Sequence, residues 1–401
     1  MADAGSIDTA RSRPDRRLLP LRARGVIASV VGTRPEAIKM APVVRALAAR
    51  GFNQRLLLTG QHDGIRHYFD DAAAIVDLEL DRHEKSIETM RDSIRDAVCG
   101  QLVARVPDLL LVQGDTTSAL AGALAAKACG VPVGHVEAGL RSFDLDQPWP
   151  EEGNRIEIDR LSDLLFAPTA VAARNLAVDP AIQAWIYITG NTGIDALFAA
   201  RAALGPVERA GPRHTLLVTC HRKENQGEGM VRICGALKRL VDELPIDVVL
   251  PLHLNPQVRA AVQSELAGRP HIRLIEPVEH LEMVRLMLSS WAILTDSGGL
   301  QEEGPALGRP VLVLREVTER PEAAANIALV GTSPGRIVEA VSGLLAEPER
   351  YARMATPAFP YGDGHAALRI ADAIEAFLLA RAIPFGDGPC HGAGLDRRQL
   401  A

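Results

Sequence analysis

The stretch from Leu109 to Arg155 constrains the fold more than any other part of the chain. An apolar run, Leu109 to Val112, meets a polar turn at Gly114-Asp115-Thr116-Thr117, and a helix pattern of small residues follows from Ser118 to Ala128. A second apolar run, Val131 to Val136, delivers Glu137 into another turn that ends at Arg141. This is a strand–helix–strand unit, and strands joined through a helix run parallel. In open parallel sheets, ligands bind in the crevice beyond the carboxyl ends of the strands. Asp115 and Glu137 each fall just past a strand and so mark where chemistry is expected. Glu151 and Glu152 follow a loop bracketed by Pro148 and Pro150, with Asn154 and Arg155 close behind. Acids gathered at one crevice drive their proton affinities apart, which suits proton transfer. The competing reading is that they cap helices or pair with arginines.

The same alternation recurs along the chain. Val26 to Val31 ends at Gly32, and Thr33-Arg34-Pro35-Glu36 opens a helix with Ile38, Met40, Val43, Val44 and Leu47 on one side. Pro35 suits a first helical turn and Glu36 its positive end. Arg34 and Lys39 stand near that helix start, where free N–H groups readily hold a phosphate. The turn lacks the GxGxxG of a dinucleotide site and the GK[ST] of a P-loop, and the competing reading of Arg34 is an ion pair with Glu36 or another acid. Further strands are expected at Arg55 to Leu58, Leu164 to Ala167 and Trp185 to Thr189, with a helix over Ser86 to Arg105. Helices covering a parallel sheet are the expected result. Gly205, Pro206, Gly211 and Pro212 mark a linker, after which the pattern starts afresh at Thr215 to Thr219. Strand candidates Asp247 to Leu250, Ile272 to Leu274, Ala292 to Thr295 and Val311 to Leu314 complete a second α/β domain. The division expected is a tail over 1–24, a first domain over 25–204, a second over 205–363, a closing helix over 364–380 and a tail over 381–401.

In the second half, Leu294 and Thr295 run into Asp296-Ser297-Gly298-Gly299, followed by Leu300-Gln301-Glu302-Glu303. Glycines admit backbone N–H groups close to an anion, and the helix start adds its dipole. Glu303, one turn in, is placed to accept both hydroxyls of a ribose. Arg320 follows the next strand and supplies a second cation for a pyrophosphate. His221 sits at a strand end beside Arg222 and Lys223, placed for phosphate contact or proton donation; His253 has similar placement. No HxxxH, HExxH or cysteine cluster points to a metal.

Composition narrows the classes. A net charge of −6 argues against a nucleic-acid surface, and 4% aromatics against stacking platforms for single strands. The five cysteines, Cys99, Cys129, Cys220, Cys234 and Cys390, form no CxxC pair, so reduced thiols in a cytoplasmic protein are expected. No apolar run reaches the ~18 residues of a membrane helix, and the N-terminus has no signal-peptide apolar core.

Taken together, GTRPEAIKMAPV, VQGDTT, GHVEAGLRS, PWPEEGNR, GNTGIDAL, CHRKEN, PLHLNP, LTDSGGLQEE, TERPEA and PYGDG resemble the non-hydrolysing UDP-N-acetylglucosamine 2-epimerases over about residues 25 to 380. Ten motifs in family order make the resemblance specific. It implies two Rossmann-like domains facing across a cleft, as in glycosyltransferase-B folds, with the C-terminal helix crossing back to the first domain. It implies a homodimer feeding surface-polysaccharide synthesis, and a UDP-sugar substrate epimerised without NAD or metal. It also implies roles. Asp115, Glu137 and Glu151 look like the acid/base set, and His221 like the phosphate-side catalytic contact. Arg34, Lys39, the Ser297-Gly298-Gly299 turn and Arg320 would hold UDP, Glu303 the ribose, and Arg155 would order the acids. Val278 and Met283 stand near the uracil, where relatives often carry Gln and Phe. Asp63 stands where a basic residue is usual. A hydrolysing epimerase, an epimerase of another UDP-hexose, a glycosyltransferase and a non-catalytic UDP-sugar sensor are the rival readings.

Overall fold

The computed structural model describes residues 25–61, 64–69, 73–78, 80, 86–208, 211–220, 222, 225, 227–253 and 255–382. The first half comprises β1 (Val26–Val31), α1 (Arg34–Ala49), β2 (Asn53–Leu58), β3 (Ala74–Asp77), α2 (Ile87–Ala104), β4 (Leu109–Gln113), α3 (Thr117–Ala128), β5 (Val133–Val136), α4 (Glu151–Leu161), β6 (Leu164–Ala167), α5 (Ala170–Ala177) and β7 (Trp185–Ile188). Its strands form one sheet in the order β3-β2-β1-β4-β5-β6-β7, every pair parallel. Residues of β4, β5 and β6 are buried throughout, because helices cover both faces of the sheet. α3 is built of small residues because it lies directly on β1. A Cβ at Gly122 would stand 2.9 Å from Val30 Cγ2.

α6 (Thr192–Leu204) leads into the second half. There β8 (His214–Thr219), α7 (Glu228–Glu243), β9 (Ile246–Pro251), α8 (Pro256–Leu266), β10 (Ile272–Ile275), α9 (His280–Ser289), β11 (Ala292–Thr295), α10 (Gly298–Ala306), β12 (Val311–Val313) and β13 (Ile327–Leu329) precede α11 (Pro334–Ala346) and α12 (Pro348–Met354). The second sheet runs β10-β9-β8-β11-β12-β13, again all parallel. Each sheet changes direction of winding once, between β1 and β4 and between β8 and β11. Such switch points open a crevice at the strands' carboxyl ends. All the turns singled out in the sequence leave strands at or next to these two points.

α13 (Ala366–Ala382) returns to the first half. Ile370 and Ile374 are buried in the same core as Met40, Val43 and Leu47 of α1. Asp195 of α6 accepts the backbone N–H groups of Ala366 and Ala367 at 3.1 and 2.9 Å, satisfying donors that a helix start leaves open. Two strands, β3 and β13, exceed the sequence expectation. Cys99, Cys129, Cys220 and Cys234 are free thiols. Among the described residues no helix is long and apolar enough to cross a membrane.

Candidate active site

Glu137 leaves β5 in a left-handed backbone conformation, φ 70°. That region is sparsely populated for a residue with a Cβ and costs about 1 kcal/mol or more. The conformation is held from the side chain: Glu137 accepts Lys39 Nζ at 2.5 Å and Gln113 Nε2 at 2.6 Å. Burial alone would lower the proton affinity of Lys39, but Glu137 and Glu302 beside it reverse the balance and keep it charged.

Asp115, after β4, bonds to Arg155 Nη2. Burial works to raise the pKa of its carboxyl. The Arg155 charge and hydrogen bond, helped by Lys39 and Arg320, outweigh it and leave the pKa below the ordinary value. Arg155 also donates to Glu152 at 2.9 Å, and Glu152 accepts the Ser142 and Phe143 N–H groups at 3.0 and 3.1 Å. The neighbouring Asn154 amide donates to the Asp115 carbonyl at 2.9 Å. The acid that organises this corner is therefore the buried Glu152. Glu151, the expected catalytic member, is half-buried at the start of α4, and its carboxyl bonds to none of the described residues.

The start of α1 departs from expectation. Glu36 accepts the Gly32 and Thr33 N–H groups at 3.0 and 2.6 Å and the Thr116 hydroxyl at 2.7 Å. These donors are occupied within the protein, so the turn is not an open phosphate cradle. Arg34 does pair with an acid, not Glu36 but Glu279 of the second half at 3.1 Å, where the Tyr68 hydroxyl also donates at 2.8 Å.

In the second half, the Ser297-Gly298-Gly299 turn opens α10, and Arg320 lies flat against it. A Cβ at Gly298 would stand 2.7 Å from Arg320 Nη1. Arg320 Nε donates to Glu302 and Nη1 to Glu319, each at 2.6 Å, and Nη2 stands 3.6 Å from Glu137 Oε1. Arg320 thus brings the Ser297-Gly298-Gly299 turn and the strand-end acid of the other half into one site. The Glu303 carboxyl has no hydrogen-bond partner among the described residues, and burial pushes its pKa up to about 7 against the opposing charge of Lys39. Val278 and Met283 are half-buried and pack against the core that contains Val284, Met287 and Leu197.

His221 lies outside the described residues, as does Asp63. Three described neighbours in the chain, Cys220, Arg222 and Asn225, meet at one carboxylate. Asp296 accepts Arg222 N–H at 2.9 Å, the Asn225 amide at 3.0 Å and the Cys220 thiol at 3.3 Å. His253 closes its own turn, its Nδ1 accepting Asn255 N–H at 2.9 Å. Sequence reasoning missed Gln113, Glu302 and Asn191, whose partners lie 24, 18 and 111 positions away. For Glu36 it found the place at the helix start but not the bond to Thr116, 80 positions on.

Two Rossmann-like sheets and a largely buried set of acids and cations at their switch points define an α/β enzyme. A family model described as UDP-N-acetylglucosamine 2-epimerase matches residues 45–375. A probable UDP-N-acetylglucosamine 2-epimerase of Ralstonia nicotianae is 44% identical over 370 residues, covering 87% of this chain and 98% of the relative. The chain belongs to the UDP-N-acetylglucosamine 2-epimerase family and is an isomerase. The crystal structure of the Neisseria meningitidis enzyme, bound to UDP-GlcNAc, superposes with a TM-score of 0.80 at 39% identity, covering 88% of this chain and all (100%) of that one. The calicheamicin glycosyltransferase CalG4, at 18% identity and a TM-score of 0.57 over 90% of this chain and 100% of its own, shares the fold alone.

Proposed function

We propose that this chain interconverts UDP-GlcNAc and UDP-ManNAc without hydrolysis. The observation that carries the reading is the 3.6 Å approach of Arg320 Nη2 to Glu137 Oε1, which sets a phosphate-binding cation beside a strand-end acid. A carboxylate takes the C2 proton from one face of the sugar. The C2–H electron pair forms the C1–C2 double bond, and the C1–O bond breaks with its pair on the departing UDP. The intermediate is 2-acetamidoglucal. UDP then re-adds at C1 as a proton arrives on the opposite face of C2. Inverting an unactivated carbon requires an acid and a base on opposite faces; Asp115, Glu137 and Glu151 are the set assigned to it, with His221 on the phosphate side.

The detached UDP must be retained for re-addition. Ser297, Gly298, Gly299 and Arg320 hold its pyrophosphate, with Lys39 and Arg34 from the first half. Glu303 takes the ribose, and Val278 and Met283 border the base. Arg155 keeps Asp115 ionised and in place. Residues 25–204 and 205–363 act as two domains closing on the substrate, with the C-terminal helix tied to the first. The protein works as a cytoplasmic homodimer supplying surface-polysaccharide synthesis. Phosphorus NMR of the protein incubated with UDP-GlcNAc tests the reading. Pyrophosphate diester signals of two UDP-sugars should persist at equilibrium. Accumulating free UDP with ManNAc would establish the hydrolysing rival instead.

A further inference from the structure

Glu302 has no part in the scheme above, yet its side chain is almost wholly buried beside the site. One carboxylate oxygen accepts Arg320 Nε and the other accepts the Asn191 side-chain amide, both at 2.6 Å. These partners belong to different elements. Arg320 follows β12, whereas Asn191 caps α6 with its own amide oxygen, taking Gly193 N–H at 3.0 Å. The Asn191 backbone N–H is also engaged, by Tyr361 O at 2.6 Å. Asn191 cannot turn its amide over without giving up the cap, so its NH2 group is fixed toward Glu302. The guanidinium of Arg320 is a rigid planar fork. With Nε held by Glu302 and Nη1 by Glu319, the plane is set against Gly298 and Nη2 is directed at the site.

We propose that Glu302 is a positioning residue that aims Arg320 at the substrate pyrophosphate and so retains UDP during the interval when it is detached from the sugar. The proposal rests on the epimerase reading given above. Between elimination and re-addition only non-covalent contacts hold UDP, and a misaligned Arg320 weakens them at that moment. The consequence is a leak. UDP and 2-acetamidoglucal leave in equal amounts, and the proton taken from C2 returns to solvent from the enzyme carboxyl.

Glu302→Gln tests this without changing the side-chain size. A glutamine offers one acceptor and one NH2 group, so it satisfies Arg320 or Asn191 but not both. Asn191→Ser is the companion variant, because serine keeps the helix cap while removing the amide donor. Wild type and both variants are incubated with UDP-GlcNAc, and NMR follows epimerised UDP-sugar against released UDP plus 2-acetamidoglucal. The ratio of release to epimerisation should rise about tenfold in Glu302→Gln, the size of one lost charge-assisted hydrogen bond, and in the same direction but less in Asn191→Ser. A residue that merely packs α10 would lower activity and stability without moving that ratio. Wild-type release ratios in both variants overturn the proposal, and if Glu302→Gln does not fold, a wild-type ratio in Asn191→Ser overturns it alone. Wild-type protein that fails to epimerise UDP-GlcNAc brings down the epimerase reading, which is a separate result.

Discussion

Replacing Glu303 by glutamine separates what this carboxyl costs the free fold from what it contributes to binding. Burial raises its pKa from 4.5 to about 7, with the charge of Lys39 opposing. The folded state therefore holds a proton that the unfolded chain releases between those two values. The stabilisation is fully present below pH 4.5 and is lost as pH rises through about 7. At about 1.4 kcal/mol per decade of pH, the loss reaches about 3.5 kcal/mol above pH 8. Partial solvent contact of the carboxyl reduces this to about 2 kcal/mol. Glutamine has no proton to release, so Glu303→Gln escapes the loss. Thermal midpoints of ligand-free wild type and variant, measured at pH 5 and pH 8, read it directly. The two should melt together at pH 5, and the variant about 4–8 °C higher at pH 8. UDP affinity, measured by calorimetry at pH 8, should fall in the same variant. A midpoint difference that stays constant between the two pH values would refute the linkage argument.

Three further outcomes follow from the geometry. Arg155→Met strands Asp115, whose carboxylate has Arg155 as its one hydrogen-bond partner among the described residues, and takes from Glu152 one of the three donors those residues supply. Denaturant unfolding at pH 7 should show a loss of about 3 kcal/mol, the lower end for breaking a buried ion pair, because Asp115 keeps some solvent contact; a loss under about 1 kcal/mol contradicts the buried-pair account. Gly298→Ala places a methyl 2.7 Å from Arg320 Nη1 and must push the guanidinium aside, so UDP affinity should drop about tenfold with the melting temperature little changed; unchanged affinity removes Arg320 from the phosphate site. Glu137→Gln should slow deuterium entry at C2 by about a hundredfold or more, and exchange at the wild-type rate would exclude Glu137 from proton transfer.

The parallel architecture is legible in the sequence because each central strand is a short apolar run closed by a polar or glycine turn. β4, β5, β6 and β11 are buried at every residue, so nothing interrupts those runs. β3 and β13 escape the same reading because they are edge strands of four and three residues, without fully buried positions and with alanine among their few apolar residues; β7, also at an edge, is still legible because Trp185-Ile186-Tyr187-Ile188 is an unbroken run of strand-forming side chains. Strand-end placement also brings Asp115, Glu137 and Ser297 to the crevices. The choice between adjacent acids is a different matter. Glu151 and Glu152, or Glu302 and Glu303, differ by about 100° of helix rotation, and which member turns inward depends on what the rest of the chain packs around them. Asn191 meets Glu302 from 111 positions away, and Glu36 meets Thr116 from 80. No local pattern encodes either contact. The motif resemblance reaches the site by another route, through the order of ten short segments.

The central claim is that C2 exchanges its proton while UDP is retained. Proton NMR of the purified protein with UDP-GlcNAc in D2O, with neither NAD nor metal added, tests it most directly. The account predicts UDP-ManNAc accumulating with deuterium at C2 and UDP still attached at equilibrium. UDP-ManNAc that retains the original hydrogen at C2 would contradict it, as would a sugar unchanged in the presence of demonstrated UDP binding.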